Sequence, residues 1–212
     1  MLKLERYKTL RREASQEIVI KKSRFIGYAK PVATEDEAIA YIEEIKKKHW
    51  NATHNCSAYV IGERDEHQKA ADDGEPSGTA GKPILEVIKA QGLKNTVVVV
   101  TRYFGGIMLG AGGLIRAYTD GAVAGIEAAE PIVQVLHREV LVDVDYTWYG
   151  KIENELRGRG IRVGDVAFTD RVVVTCLPEE SESEAFIAWM TDVTQGQSVI
   201  ATGEARYYIE GE

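Results

Sequence analysis

Two glycine-rich segments contain most of the residues that could bind or transform a ligand. The first, DDGEPSGTAGKP at residues 72–83, combines carboxylates, hydroxyls and a lysine. The second, RYFGGIMLGAGGLIRAY at residues 102–118, combines aromatic and cationic side chains with five glycines. Glycine tolerates positive φ and lets another surface approach the backbone closely. Because a simple connection rarely needs so many glycines, we interpret the two segments as facing walls of one site.

Cations and aromatic rings in the second segment are suited to neutralising phosphates and stacking unpaired bases. Arg102 follows a predicted buried strand, and Arg116 lies in the first turn of a predicted helix, where backbone N–H groups also favour anions. Aromatic residues beside a strand end are equally consistent with core packing, so both interpretations stay open. The predicted ligand-binding or nucleic-acid-binding residues are Lys82, Arg102, Tyr103, Phe104, Gly105, Gly106, Gly110, Gly112, Gly113, Arg116 and Tyr118.

The first segment contains an acidic loop, whose residues are Asp72, Asp73, Glu75 and Ser77. Several convergent oxygens could bind a hard cation, whereas an acidic turn that caps the following helix needs no ligand. We favour the capping role and predict no metal site. Since a polar loop contributes little to a core, amide substitutions of the three acids are expected to leave the fold intact.

Known catalytic and cofactor motifs do not match this sequence. The glycine spacing fits neither the dinucleotide pattern GxGxxG nor the P-loop, and no GxSxG surrounds Ser77. His49, His54 and Cys56 are too few for a closed zinc site, which needs four ligands. We therefore predict no cofactor and no catalytic residue, and we favour a protein that is not an enzyme.

Composition limits the class of protein. The chain has 212 residues, of which 44% are apolar, and its net charge is −7. No apolar run is long enough for a membrane span and no secretory signal is evident, so we expect a cytoplasmic protein with Cys56 and Cys176 as buried free thiols. Residues 1–31 contain nine Lys and Arg against three Glu, which indicates either a solubilising edge or a contact with RNA.

Periodicity predicts an α+β chain with two domains, residues 1–131 and 132–212. In the first, strands are expected near residues 7–12, 17–20, 24–32, 56–61 and 96–101. Helices are expected from Thr34, with Glu37 completing a capping box, at residues 83–91 and at residues 113–129. Residues 62–82 are expected to form a loop. The second domain follows the order βαββαβ, which is typical of a ferredoxin-like fold.

The two glycine-rich segments, preceded by HWNATHNCSAYVIG at residues 49–62, closely resemble the signature of the IMPACT family, in particular its bacterial members. This resemblance covers roughly residues 15–130, and the remainder looks like the small C-terminal domain of the bacterial members. It implies a domain like the second domain of ribosomal protein S5 followed by a ferredoxin-like domain, a pair that also occurs in the translocation factor EF-G. The eukaryotic relatives regulate translation through an eIF2α kinase pathway. That role is not carried over, because this sequence does not contain their RWD domain.

These observations predict a protein that binds RNA, the ribosome or a translation-associated protein. Two alternatives stay open: a metal-assisted enzyme acting on a nucleotide or phosphate-bearing small molecule, and a protein-interaction adaptor. No membrane partner is expected, and the sequence does not determine the oligomeric state.

Overall fold

A computed structural model describes residues 3–212, which divide into two compact units. The first unit is Tyr7–Val133, and the second combines Gln134–Glu212 with the described residues up to Arg6. The division falls close to the boundary expected after residue 131, but the start of the chain joins the second unit. One reason is a backbone hydrogen bond of 2.8 Å from the N–H of Leu136 to the carbonyl of Glu5.

A five-stranded antiparallel sheet with helices on both faces forms the first unit. In chain order its elements are β1 (Arg6–Leu10), which is not part of this sheet, β2 (Ala14–Ile20), β3 (Ser23–Pro31), α1 (Glu35–Lys48), β4 (His54–Ile61), β5 (His67–Ala71), α2 (Gly81–Ala90), β6 (Thr96–Tyr103) and α3 (Gly110–Ala128). The strands lie in the order β2-β3-β6-β4-β5, and every neighbouring pair is antiparallel. Helix α1 covers one face, and α2 and α3 cover the other.

The central strand β6 is buried on both faces. Val97 and Val99 pack in the α1 core, while Val98 and Val100 pack against α2 and α3. An unbroken run of valines is what a strand covered on both sides requires. This packing fixes the end of β6, and therefore the start of the second glycine-rich segment.

The cap predicted for α1 is present, whereas the predicted loop at residues 62–82 and the predicted start of α3 differ from the structure. Thr34 caps α1 as expected, with its side chain accepting from the N–H of Glu37 at 3.2 Å. The Glu37 carboxylate accepts from the N–H of Ala33 at 2.7 Å, one residue before the cap. The region expected to be a loop contains β5, which pairs with β4. Helix α3 begins at Gly110 rather than at residue 113.

Three glycines bring β3 and α3 into backbone contact. A Cβ added at Gly27 would lie 1.9 Å from the carbonyl oxygen of Gly121, and one added at Gly125 would lie 2.7 Å from the carbonyl carbon of Gly27. Real Cβ atoms do not approach that closely, so the helix can rest on the strand only because these positions are glycine.

The second unit confirms the predicted order βαββαβ. Its elements are β7 (Pro131–Val144), α4 (Tyr146–Gly158), β8 (Arg162–Phe168), β9 (Val172–Leu177), α5 (Ser183–Val193) and β10 (Val199–Ile209). The strands lie in the order β10-β7-β9-β8, and α4 and α5 supply helical residues to the core. Asp145 caps α4, with its side chain accepting from the N–H of Thr147, and a short 3₁₀ helix precedes α5. The α+β fold class is confirmed.

Both cysteines are buried and free, as expected. No helix in the described part of the chain has the length and apolar composition needed to cross a membrane.

Candidate functional site

Residues 104–109, here the glycine loop, connect β6 to α3 at one end of the first unit. The loop is held by two hydrogen bonds: the N–H of Phe104 donates to Thr53 Oγ1 at 3.0 Å, and the N–H of Gly105 donates to Ser23 Oγ at 3.1 Å. A Cβ at Gly105 would lie 2.1 Å from the carbonyl carbon of Lys22. We call this region, formed by the glycine loop, the turn at residues 21–22 and residues 50–53, the glycine-loop end.

Arg102 and Tyr118 lie in the interior, not on the surface where the sequence analysis expected them. Arg102 Nη1 is 2.6 Å from Glu75 Oε1, and the two side chains are 7% and 3% exposed. The hydroxyl of Tyr118 donates to the same carboxylate oxygen at 2.7 Å, and burial raises the pKa of Tyr118. Because Arg102 neutralises a buried carboxylate, it cannot reach an external ligand without leaving Glu75 unpaired.

Asp72 of the acidic loop caps α2. Its carboxylate accepts N–H bonds from Gly78 (2.9 Å), Ala80 (3.1 Å) and Gly81 (2.8 Å). Burial alone would raise the pKa of Asp72, but these three bonds outweigh it and lower the pKa. The ionised carboxylate therefore stabilises the folded chain above its ordinary pKa, and this stabilisation is lost as the pH falls through the lowered value. The expectation that amide substitutions leave the fold intact is thus corrected for Asp72 and for the buried Glu75.

Asp73 also interacts with the protein itself. Its carboxylate accepts from the N–H of Asn55 at 2.7 Å and pairs with Lys46 at 3.2 Å. Ser77 is exposed. Within residues 3–212, no group of three or more His, Cys, Asp or Glu is arranged to hold a metal ion. The geometry of the acidic loop is therefore that of a helix-capping and ion-pairing element.

His54 and Cys56 do not form a nucleophile and base pair. His54 Nδ1 lies 2.8 Å from the carbonyl oxygen of Asp73, and the thiol of Cys56 donates to the carbonyl of Asp72 at 3.0 Å. Burial raises the pKa of Cys56 to about 12, so the thiol is protonated at neutral pH and is a weak nucleophile.

Tyr103 is half-buried on the α1 face of the sheet. Its hydroxyl lies 2.8 Å from His49 Nδ1, and the guanidinium of Arg24 lies 5.1 Å from its ring centroid. Burial lowers the pKa of His49, and the nearby charges of Lys48 and Arg24 act in the same direction. Tyr103 is thus on the opposite face of the sheet from Arg102, as neighbouring strand residues must be.

The exposed part of the glycine-loop end is apolar and cationic. Phe104 is 49% exposed and Met108 is 84% exposed. Lys21 and Lys22 are also exposed, as is Arg116 in α3. In the described part of the chain, none of these three cations forms an ion pair with a carboxylate. Arg116 donates instead to the carbonyl of its neighbour Gly112 at 3.2 Å.

The remaining predicted site residues are four glycines and Lys82. Gly106 and Gly110 adopt positive φ values of 84° and 70°, which glycine tolerates readily. Gly112 has no atom within 4 Å of an added Cβ, while Gly113 would meet only its neighbour Leu109. Lys82 lies away from the loop, in a groove between α2 and α3.

The basic N-terminal region is largely neutralised within the structure. Its ion pairs are Arg6 with Glu179 and Glu210, Arg11 and Arg12 with Glu130, Arg24 with Glu17, and Lys30 with Glu13. The turn at residues 21–22 is the part of this region that contributes cations to the glycine-loop end. In the sequence these lysines are part of a basic stretch, and no local pattern places them beside Gly105.

Comparison with known proteins gives matches along most of the chain. The Impact N-terminal domain matches residues 21–126, and a domain of unknown function, DUF1949, matches residues 142–197. The chain is 53% identical to IMPACT family member YvyE of Bacillus subtilis, over 96% of this chain and 94% of that protein. It is 45% identical to IMPACT family member YigZ of Escherichia coli, over 48% of this chain and 51% of that protein. A crystal structure of a hypothetical protein, 28% identical, matches with a TM-score of 0.60 over 95% of this chain and 98% of that one.

Proposed function

The chain belongs to the IMPACT family, and from this premise we propose that it is a translation-associated regulator that binds RNA or the ribosome through the glycine-loop end. The observation that carries the proposal is the exposed pair Lys21 and Lys22, which have no carboxylate partner among the described residues and whose turn lies against Gly105, next to the exposed Phe104. Arg116 in α3 is a further exposed cation without such a partner. Such a group attracts a polyanion even on a protein whose net charge is −7.

The rest of the charge distribution favours binding of a polyanion at one site over nonspecific binding across the whole surface. Most other cations of residues 1–31 are paired with carboxylates, so they have little free charge to offer a phosphate. Because the net charge is −7, a polyanion is repelled in orientations that do not present an exposed cation. We therefore expect binding in a defined orientation, with a steep dependence on salt concentration.

The hydrogen bonds and ion pairs made by the acidic loop favour a binding function over a catalytic one. Asp72, Asp73 and Glu75 each accept hydrogen bonds or ion pairs from the protein. A carboxylate engaged in this way is poorly suited to act as a general base or to release its partners for a metal ion. This supports a binding protein over the metal-assisted enzyme.

A protein-interaction adaptor is the second candidate, and one observation favours it. Trp50 is 83% exposed, and Ile107 and Met108 add apolar surface to the glycine-loop end. Exposed apolar groups of this kind occur at protein interfaces. Adaptor binding would depend little on salt, whereas binding to RNA or ribosomes would weaken as salt displaces the protein from phosphates.

The test is ribosome co-sedimentation across a salt series with two matched triple variants. One replaces the unpaired cations of the glycine-loop end, Lys21→Gln and Lys22→Gln, together with Arg116→Gln in α3. The control replaces Arg64, Lys69 and Lys89 by Gln in the same way, and these three residues are exposed elsewhere in the first unit. Both variants lose three positive charges, so a difference in their ribosome binding reports the location of the removed charges and not the change in net charge.

We expect the first triple variant to bind about tenfold or more weakly at low salt, with a shallower salt dependence, because fewer counterions are released. The control should bind like the parent. Equal loss in both variants, or salt-insensitive binding by the parent, would contradict the proposal and favour the adaptor.

A further inference from the structure

We infer that Phe104 is a stacking platform for an unpaired base, so that the glycine-loop end takes single-stranded RNA in preference to duplex RNA. This inference rests on the proposed function and names the form of its ligand. It depends on three features: how the ring is held, how its backbone is fixed, and which charges surround it.

The Phe104 ring is supported on one face and open on the other. The guanidinium of Arg102 lies 5.4 Å from its centroid, and about half of the Phe104 side chain is exposed. Arg102 is itself fixed, because its guanidinium also lies 5.5 Å from the centroid of the buried Phe25 ring and Glu75 holds Nη1. The solvent therefore meets the outer face of a ring whose inner face rests on an immobilised cation.

The backbone on either side of the ring is also fixed. Thr53 accepts from the N–H of Phe104, and Ser23 accepts from the N–H of Gly105. The close approach of Gly105 to Lys22 sets the distance between the ring and the turn that carries two lysines. A ring held in this way loses little conformational entropy when a ligand stacks on it, which increases affinity.

The charges around the ring select a nucleic acid over an apolar partner. Lys21 and Lys22, in the turn that lies against Gly105, are exposed cations without carboxylate partners in the described structure. The carboxylates of Glu17 and Asp73 are paired with Arg24 and Lys46. A nucleotide presents a π face to the ring and a phosphate to the lysines, so one ligand satisfies both parts of the surface.

The expected preference for single-stranded over duplex RNA follows from how accessible the base is for stacking. In an A-form duplex each base is stacked between its neighbours, and proteins contact the backbone and groove edges instead. A single ring projecting from a loop can stack only on a base that is already unpaired. We therefore expect the ring to contribute to single-strand affinity and not to duplex affinity.

The experiment measures fluorescence anisotropy of a short labelled single-stranded oligoribonucleotide and of the same sequence as a duplex. Three variants of the full chain are compared: Phe104→Leu removes the ring, Phe104→Trp keeps an aromatic face, and Phe168→Leu is a matched control that removes an exposed ring from β8 of the second unit. We expect Phe104→Leu to weaken single-strand binding on the order of tenfold and to leave duplex binding unchanged. The Phe104→Trp and Phe168→Leu variants should bind like the parent.

Two results would overturn the inference. One is that the Phe104→Leu and Phe104→Trp variants bind single-stranded RNA with equal affinity. Because this test compares two replacements of the same side chain, it remains valid even if both lower the melting temperature. The other is an equal loss of single-strand and duplex binding in Phe104→Leu. If the cation triple variant still loses binding to both RNA forms, the proposed function stands and only the stacking role fails.

Discussion

Glu75 is the residue on which the interior of the candidate site depends. Its carboxylate accepts from Arg102 of β6 and from Tyr118 of α3, and it belongs to the acidic loop before α2. A carboxylate that is 3% exposed is stable in the charged form only if its partners compensate for the lost hydration. The three segments therefore pack together at an ion pair and not at a purely apolar contact.

The Arg102→Gln variant tests this structural role. It leaves Glu75 buried without its cation, so we expect a loss of about 3–5 kcal/mol in the free energy of unfolding. Arg116→Gln removes an exposed arginine and should change that free energy by less than about 0.5 kcal/mol. Urea denaturation of the two variants makes the comparison. A midpoint for Arg102→Gln equal to that of Arg116→Gln would show that the buried pair contributes no stability.

At the scale of elements, the glycines of α3 serve two different purposes. Gly125 faces β3 and has no room for a Cβ against the backbone of Gly27, while a Cβ at Gly121 would lie 3.0 Å from Val100 Cγ1 of β6. Gly112, in the first turn, has open space around it and a helical backbone. Close packing of the helix on the sheet thus explains the later glycines, while packing does not require the earlier one.

Alanine substitutions separate the two purposes. Gly125→Ala should destabilise the first unit by about 2–3 kcal/mol, since the added Cβ overpacks the contact with Gly27. Gly112→Ala should be neutral or stabilise by up to about 1 kcal/mol, because alanine is the better helix former. Thermal unfolding followed by circular dichroism measures both. A Gly125→Ala variant as stable as the parent would mean that β3 and α3 are not in backbone contact.

Elements with strong periodicity could be predicted from the sequence, and weakly patterned ones could not. The valine run of β6 and the cap at Thr34 were found because their signals are local. Strand β5, with the sequence HQKAA, was missed because it is an exposed edge strand without apolar alternation. Its position is determined by pairing with β4, and pairing is not visible in the strand's own residues.

The candidate site could be predicted only in part, for a related reason. Glycine, cationic and aromatic residues identified the correct segments, but burial decided which of them face solvent. Glu75 and Arg102 are 27 residues apart in the chain, and no spacing rule joins an acid in a loop to an arginine at a strand end. The contribution of Lys22 and Thr53 likewise depends on tertiary contacts.

On the scale of the whole molecule, each unit has its own apolar core, and the start of the chain belongs to the later unit. The carbonyls of Leu4 and Glu5 accept from the hydroxyl of Tyr207 and the N–H of Leu136, both at 2.8 Å. Arg6 pairs with Glu179 at 3.2 Å. These contacts complete the second unit with a segment from the far end of the sequence.

Deleting residues 1–6 should therefore destabilise the second unit selectively. The lost backbone bond, hydroxyl bond and exposed ion pairs predict a cost of about 1–3 kcal/mol. Hydrogen exchange followed by mass spectrometry should show faster exchange within residues 134–212 and unchanged exchange within residues 7–133. Faster exchange confined to residues 7–133 would contradict the assignment of the chain start to the second unit.

The two buried thiols give the chain a property that its fold alone does not suggest. Cys56 lies in the first unit and Cys176 in the second, and burial raises the pKa of each to about 12. An alkylating reagent added at neutral pH therefore reacts with either thiol only after local opening exposes it. The native sequence thus carries one chemical reporter in each unit. The rate at which each cysteine is labelled would time the opening of its unit separately, in a single sample without an engineered probe.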